Sequence, residues 1–381
     1  MATVGKRVRG HRVAGHRPKR TGGTQRTERG ARWDWAKFAS AITALTAIAA
    51  LLFTALSLQQ TRQQNQLAQS GQITDRFNAA VTNLGSGTET IRIGGIFALE
   101  RIMQDSPRDQ PAVIQVLAAF VRQEAPVHAA SAHAASSTPT VTEGISGPAI
   151  DVQTALTVLA DRDPSDDQGV ALDLAYTNLT RATLDDAQLT GAQLNGANLT
   201  GVNMDSADLT GANLGRANLT GANLYGANLV GANLYGANLV GANLASANLA
   251  SRGTAADARA GRAGTTDLTN ANLTNAYLGG ADLVGADLGG AHLTRADLDG
   301  ANLDNADLTG DNATDADLEN VNLTNVLLDG GNLTDADLTG ADLTNIDLKG
   351  VTLTGASLWG TSWCAQHKPL HPGGYTCSPM P

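Results

Sequence analysis

Between residues 174 and 249 a leucine returns at every fifth position, from Leu174 and Leu179 to Leu244 and Leu249, with Met204 the one substitute. Two residues before each stands a small apolar residue, usually alanine, as at Ala182, Ala187 and Ala192. On an α-helix a five-residue step turns about 140° past a full revolution, so these leucines would wander round the cylinder. In a flat strand an odd step alternates faces, so successive leucines would point oppositely. The backbone must therefore corner once per repeat. Four repeats then close a square, with leucine filling the middle and alanine beside it near the corner. Asn or Asp before the leucine, the residue after it and the frequent glycine face outward or form the turn. Stacked coils would lie about 4.8 Å apart and pair through their backbones.

The count of leucine positions agrees with closure. Leu174 to Leu249 holds 16 positions, or four coils. The beat breaks at "SRGTAADARAGRAG", Ser251–Gly264, and resumes one residue out of phase at Leu268. From Leu268 to Trp363 there are 20 positions, or five coils, and Ala313 is the small filler among them. Nine coils at strand spacing predict a rod of about 43 Å. Isolated repeats would not fold; stacking is what makes the leucine burial sufficient.

Ahead of the repeats the pattern is helical. Phe38–Leu58 is 21 residues without a charge, long enough to cross about 30 Å of hydrocarbon, and Trp33, Trp35 and Lys37 stand at its entrance. A polar helix continues from it, with Ile73, Phe77, Ala80, Val81 and Leu84 on one face. Further helices are expected over Ile91–Met103, Pro111–Arg122 and Asp151–Leu159. Ala125–Pro148 is rich in Ala, Ser, Thr and Pro and reads as a flexible linker in which His128 and His133 are solvated. The organisation is a basic arm at 1–35, a membrane helix at 36–58, a helical juxtamembrane region at 59–124 and a linker at 125–148. A short helix at 149–166, a rod at 170–363 interrupted by a loop at 251–264, and a tail at 364–381 complete it.

Charge changes the picture at both ends. Of the 381 residues, Met1–Arg32 carries ten Lys or Arg against Glu28 alone, whereas Ala281–Gly350 carries fifteen acids against Arg295 and Lys349. Beyond the apolar segment, Gln59–Asp75 has Arg62 as its one cation. This asymmetry favours an N-terminus in the cytoplasm and the repeats outside, in a single pass through the plasma membrane. The acids from Asp282 through Asp297, Asp299, Asp307, Asp311 and Asp317 to Glu319 read as a charged outer surface.

"GQITDRFNAAVTNLGS", "RIGGIFALERI", "AFVR" and "DVQTALTVL" look like the juxtamembrane segment of a family of actinobacterial membrane-anchored pentapeptide-repeat proteins. The five-residue beat matches that family's A(N/D)LxG pattern. The resemblance implies a right-handed quadrilateral β-helix: an all-β solenoid of about nine coils, carried behind an N-terminal transmembrane helix and a small α-helical region. Relatives of this kind often carry two membrane helices, which would place the repeats in the cytoplasm; one is visible here. Some cytoplasmic members resemble B-DNA in width and charge and occupy DNA-binding enzymes.

Candidate chemistry is sparse. No phosphate loop, zinc-protease helix, serine elbow or dinucleotide turn is present, and a leucine-filled solenoid offers no convergent pocket, so an enzyme is not expected. No cofactor is expected. Tyr225 and Tyr235 follow leucines ten residues apart and should lie on opposite outer faces, with Val230 and Val240 on the other two. These tyrosines, together with Arg252, Arg259 and Arg262 on the interrupting loop, are the candidate interaction surface. Trp359 and Trp363 are expected to lid the open leucine core. Cys364 and Cys377 are candidates for a disulfide across the tail. With His367 and His371 they also form C-x2-H-x3-H-x5-C, a ligand set without the spacing of a known zinc finger, and no metal site is expected; calcium on the Asp columns lacks a glycine-rich loop. The expected partners are the lipid bilayer, through Phe38–Leu58, and an unidentified protein, nucleic acid being disfavoured. The function expected is a non-catalytic membrane-tethered scaffold; the alternative is a cytoplasmic DNA-mimicking regulator.

Overall fold

The computed structural model describes residues 35–127, 147–251 and 265–362, and the chain divides into two units, Met1–Ala68 and Gln69–Pro381. Helix α1 spans Trp35–Leu84 and crosses that division. In the first unit its apolar side chains are exposed, Leu51 and Phe53 by more than two thirds. The helix is long and apolar enough to cross a membrane by length and composition, its best window having a mean hydropathy of 2.2.

The second unit begins with the C-terminal part of α1, followed by α2 (Glu89–Asp105), α3 (Gln110–Glu124) and α4 (Ile150–Ala160). On α1, Ala80 and Leu84 are buried and Ile73 and Phe77 half-buried. Val81, which the helical spacing places on the same face, is 37% exposed. The stripe is narrow because α2 meets it backbone to backbone. A Cβ on Gly95 would sit 2.8 Å from the Ala80 carbonyl oxygen, so only glycine fits there. Ala125–Val127, part of the expected linker, instead pairs with the first coil: Asn178 N–H donates to the Ala125 carbonyl (2.7 Å), and Val127 N–H to that of Tyr176 (2.9 Å). Two ion pairs with buried carboxylates complete the helical part. Arg92 donates to Asp151, and Arg162 binds Asp167 (2.9 Å) while also donating to the carbonyl of Gln188 in the first coil (2.7 Å). Gln110 of α3 donates to the same Asp167 (2.8 Å). Helices and coils share one continuous core, from Leu99, Leu117 and Leu156 into Leu172 and Leu174.

From Leu174 onward the turns share one pattern. The N–H of the alanine position donates to the carbonyl of the leucine three residues earlier, as Ala212 does to Leu209 (2.9 Å), while at the first corner the Thr177 hydroxyl donates to Leu174 (2.6 Å). Outside the interruption the residue two after the leucine has positive φ, for example Gly211 at 64° and Asn275 at 57°. This is the type II turn, which demands a left-handed residue at its third position and so selects glycine or asparagine there. Between coils, Leu194 N–H donates to Asn213 C=O (2.8 Å) and Asn213 N–H to Ala192 C=O (2.9 Å). The side before each leucine stacks in parallel on the residue 20 later, as in Asn198↔Asn218↔Asn238. Each side contributes a single bridge residue, so among the described residues no extended strand forms. A five-residue repeat that spends four positions on a turn leaves no room for one, and the expected all-β solenoid is a stack of turns joined by one-residue bridges.

Nine coils follow, beginning at Leu174, Leu194, Leu214, Leu234, Leu268, Leu288, Leu308, Leu328 and Leu348; the final leucine position, Trp363, lies outside the described residues. The interruption does not break the stack. Asn233 pairs with Asp267 and Asn248 with Asp282, a step of 34 residues in place of 20. The difference is 14, the length of Ser251–Gly264, so the insertion leaves the coil register untouched. Bridges continue to Asp337↔Ser357.

Candidate interaction surfaces

The interior is closed. The leucines at the five-residue positions from Leu174 to Leu343 are at most 3% exposed, as are the alanines beside them, so recognition chemistry on the coils belongs to the outer faces. Face 1 carries residues flanking Leu174 and its stacked counterparts; faces 2, 3 and 4 follow Leu179, Leu184 and Leu189 in the same way.

Face 2 is a polar ladder. Asn218 Nδ2 donates to Thr200 Oγ1 (2.9 Å), Thr200 Oγ1 donates to Asn198 Oδ1 (2.7 Å), and the pattern repeats at Asn238 and Asn332. Each asparagine also accepts the N–H of the residue two ahead, as Asn198 does from Thr200. This local turn explains why Asn and Asp precede leucine throughout. On face 4, Asp208 is buried in part, yet hydrogen bonds from Thr210, Thr190 and Asn228 outweigh that burial and hold its carboxyl below the ordinary range.

Face 3 changes character along its length. Tyr225 in the third coil is 47% exposed and Tyr277 in the fifth is 55% exposed. Asp297, Asp299, Asp317, Glu319 and Asp337 follow in later coils of the same face. The Thr339 hydroxyl donates to Asp337 and lowers its pKa; on face 4 the Ser362 hydroxyl does the same for Asp342. Tyr277 precedes its leucine whereas Tyr225 follows one, and the break at Ser251–Gly264 separates them, so only the register joins them on one face.

Tyr235 lies on face 1, opposite Tyr225, as the ten-residue separation requires. The two tyrosines therefore do not form one patch. Arg252, Arg259, Arg262, Cys364, Cys377, His367, His371, His128 and His133 lie outside the described residues; the residues at the root of the interruption are described. Thr266 fills an alanine position and is buried; its hydroxyl accepts the Gly231 N–H (3.0 Å) and lies 3.3 Å from the carbonyls of Leu229 and Ala250. It takes the place of the coil-to-coil bond made at this position elsewhere, as by Gly211 N–H to the Val230 carbonyl (2.9 Å). Tyr235 is on the face adjoining this root.

Two sequence expectations fail on these faces. Trp359 does not lid the core: it follows Leu358, and so points outward, 42% exposed. Asp311, read with the surface acids, is 2% exposed. It occupies the alanine position two before Ala313, the small residue in a leucine position, and thus faces inward; that spacing was the available signal. Asp307 is also buried, and burial together with Asp307 and Asp267 raises the pKa of Asp287.

In the helical part, a cleft of about 440 Å³ lies between α2 and α4, lined by Phe97, Glu100, Pro148, Ile150 and Thr157. Among the described residues no group of His, Cys, Asp or Glu is placed to hold a metal ion.

Square coils of five-residue repeats, filled with leucine and presenting only outer faces, define the class of this domain. The repeat region is made of pentapeptide repeats: the family model for "Pentapeptide repeats" matches in eight copies, over residues 177–216, 212–249, 271–310, 316–355 and 332–362. Among curated proteins none matches the chain. Among solved structures it is similar to HetL of the cyanobacterium Nostoc sp. strain PCC 7120, a pentapeptide repeat protein involved in heterocyst differentiation regulation. The identity is 34% over 50% of this chain and 80% of that one, with a TM-score of 0.33. It is similar also to Rfr23 of the cyanobacterium Cyanothece 51142 (32% identity, 38% of this chain and 89% of that one, TM-score 0.23). A third is QnrB1, a plasmid-mediated fluoroquinolone resistance protein (19% identity, 49% and 86%, TM-score 0.27). At TM-scores this low, these likenesses say nothing of what this chain does.

Proposed function

We propose that the chain is a non-catalytic, membrane-tethered protein-interaction module that presents a pentapeptide-repeat rod to another macromolecule. The observation that carries this reading is the filled interior: leucine and alanine occupy every inward position of the first six coils apart from Met204, Val202 and the two threonines Thr177 and Thr266. A convergent catalytic site needs a pocket, and such a core leaves chemistry only on flat outer faces. Tethering is supported by the uncharged run Phe38–Leu58 on α1 and the exposure of its side chains. The cation asymmetry across it supports repeats on the outer side. Tyr225 and Tyr277, exposed on one face and adjoining its acids, are the contact surface we favour, with Tyr235 and the loop of Arg252, Arg259 and Arg262 a separate one.

The test has two parts. Ala49→Asp together with Leu52→Asp should move the full chain from the membrane pellet to the alkaline-extractable fraction, each aspartate costing about 2.5–3.5 kcal/mol at mid-membrane. An unchanged pellet would overturn the tether. Single cysteines within Gln59–Gln69, in a Cys364→Ser, Cys377→Ser background, should react with an impermeant maleimide on intact cells. Protection would put the rod in the cytoplasm. It would favour the second reading, a nucleic-acid mimic, for which the carboxylates stacked at Asp297, Asp317 and Asp337 are the supporting observation.

A further inference from the structure

The seventh coil, Leu308 to Leu323, departs from the others at one corner. A leucine position holds Ala313, the alanine position before it holds Asp311, and the residue stacked beneath Asp311 in the eighth coil is Gly331. The corner therefore lacks most of a leucine side chain and one Cβ, and a carboxyl stands in the space. Asp311 Oδ1 accepts the Ala291 N–H (2.9 Å) from the coil before; Oδ2 is buried and has no hydrogen-bond partner among the described residues. The charged groups that act on it are Asp307, in the same coil, and Asp287, in the coil before; both are acids and oppose its ionisation. The eighth coil brings Leu328, Gly331 and Asn332 to this level, and its Asp329 is exposed on the outer face. No cation is among the groups that act on Asp311.

We propose that the seventh coil is a proton-held joint of the rod: it stays shut while Asp311 carries a proton and opens ahead of the coils around it as that carboxyl ionises. A buried carboxylate without a cation is far more costly than a buried acid, and the missing leucine has already weakened the packing that would resist opening. Burial, with the two acids adding to it, pushes the carboxyl up to about 9 against an ordinary 3.8. Between those values the closed coil holds a proton that the opened coil releases, so closure weakens as pH rises and is firmest in acid. The direction is opposite to that of Asp337 and Asp342, whose lowered carboxyls stabilise the fold above their range.

Hydrogen exchange of the full-length chain, corrected for intrinsic rates, tests this from pH 5 to pH 8. The opening constant of peptides covering 305–331 should rise by roughly tenfold per pH unit, the slope for release of one proton. Peptides covering 209–245 should show no such slope. Asp311→Asn, which keeps the shape and loses the ionisation, should flatten the profile of 305–331. The double variant Asp311→Ala, Ala313→Leu, which restores the repeat, should bring its protection up to that of 209–245. A profile for 305–331 that is flat in the unaltered chain, or a slope that survives Asp311→Asn, overturns the proposal. The unaltered chain alone decides it if a variant fails to fold.

Discussion

An asparagine stacked on an asparagine links two coils; an aspartate stacked on an aspartate does not. Asn223 and Asn243 are joined to the coil before each by amide-to-carbonyl bonds of 2.8 and 3.1 Å. Asp267, Asp287 and Asp307 stand in the same kind of column, where no carboxylate can donate to the next, and burial together with the neighbouring carboxylates raises the Asp287 pKa. The five-residue pattern treats the two residues alike, so it does not distinguish columns whose stacked side chains bond to one another from columns of carboxylates, which cannot. Inward positions are less forgiving. Leu219→Ala in the third coil should lower the unfolding free energy by about 2–5 kcal/mol, because the coils above and below hold the cavity open; denaturant titration checks it. Thr266→Val should cost about 1–3 kcal/mol, out of proportion to its size, since Gly231 N–H loses its acceptor in a buried site. A loss no greater than a neutral surface change would show that Thr266 does not stitch the loop root.

At the scale of elements, the helix positions were legible from spacing and the helix faces less so. The expected Ile91–Met103, Pro111–Arg122 and Asp151–Leu159 lie within α2, α3 and α4, each extended by one or two residues. What spacing did not show is that α1 and α2 touch through Gly95, which turned Val81 outward. Gly95→Val should therefore destabilise the helical part by more than a helix-favouring substitution restores, a fall in thermal midpoint being the measurement. The interrupting loop gives a cleaner case. Because the insertion equals the register shift, deleting Ser251–Gly264 joins Ala250 to Thr265 with Leu249 and Leu268 five apart. The shortened chain should fold with an unchanged circular dichroism spectrum and at least the same thermal midpoint. Loss of the spectrum would show that the loop is part of the stack.

For the molecule as a whole, the leucine beat, the four-sided closure, the count of nine coils and the position of the interruption were all set by local order in the chain. Each repeat carries its own turn residue and its own inward pair, so the sequence alone determined the solenoid: no distant contact is needed to decide where a coil corners. The same order determined that one segment is uncharged over 21 residues and that cations crowd on one side of it. Tertiary structure decided what depends on stacking. It placed Tyr277 on the face of Tyr225, two coils further on, and away from Tyr235, and it set Asp311 between the acids of two coils and Gly331. It also assigned Ala125–Val127 to the first coil through bonds to residues some fifty positions on. A one-dimensional pattern states which way a side chain points within its own repeat; which side chains become neighbours is set by the coil above and the coil below, and those lie twenty or thirty-four residues away.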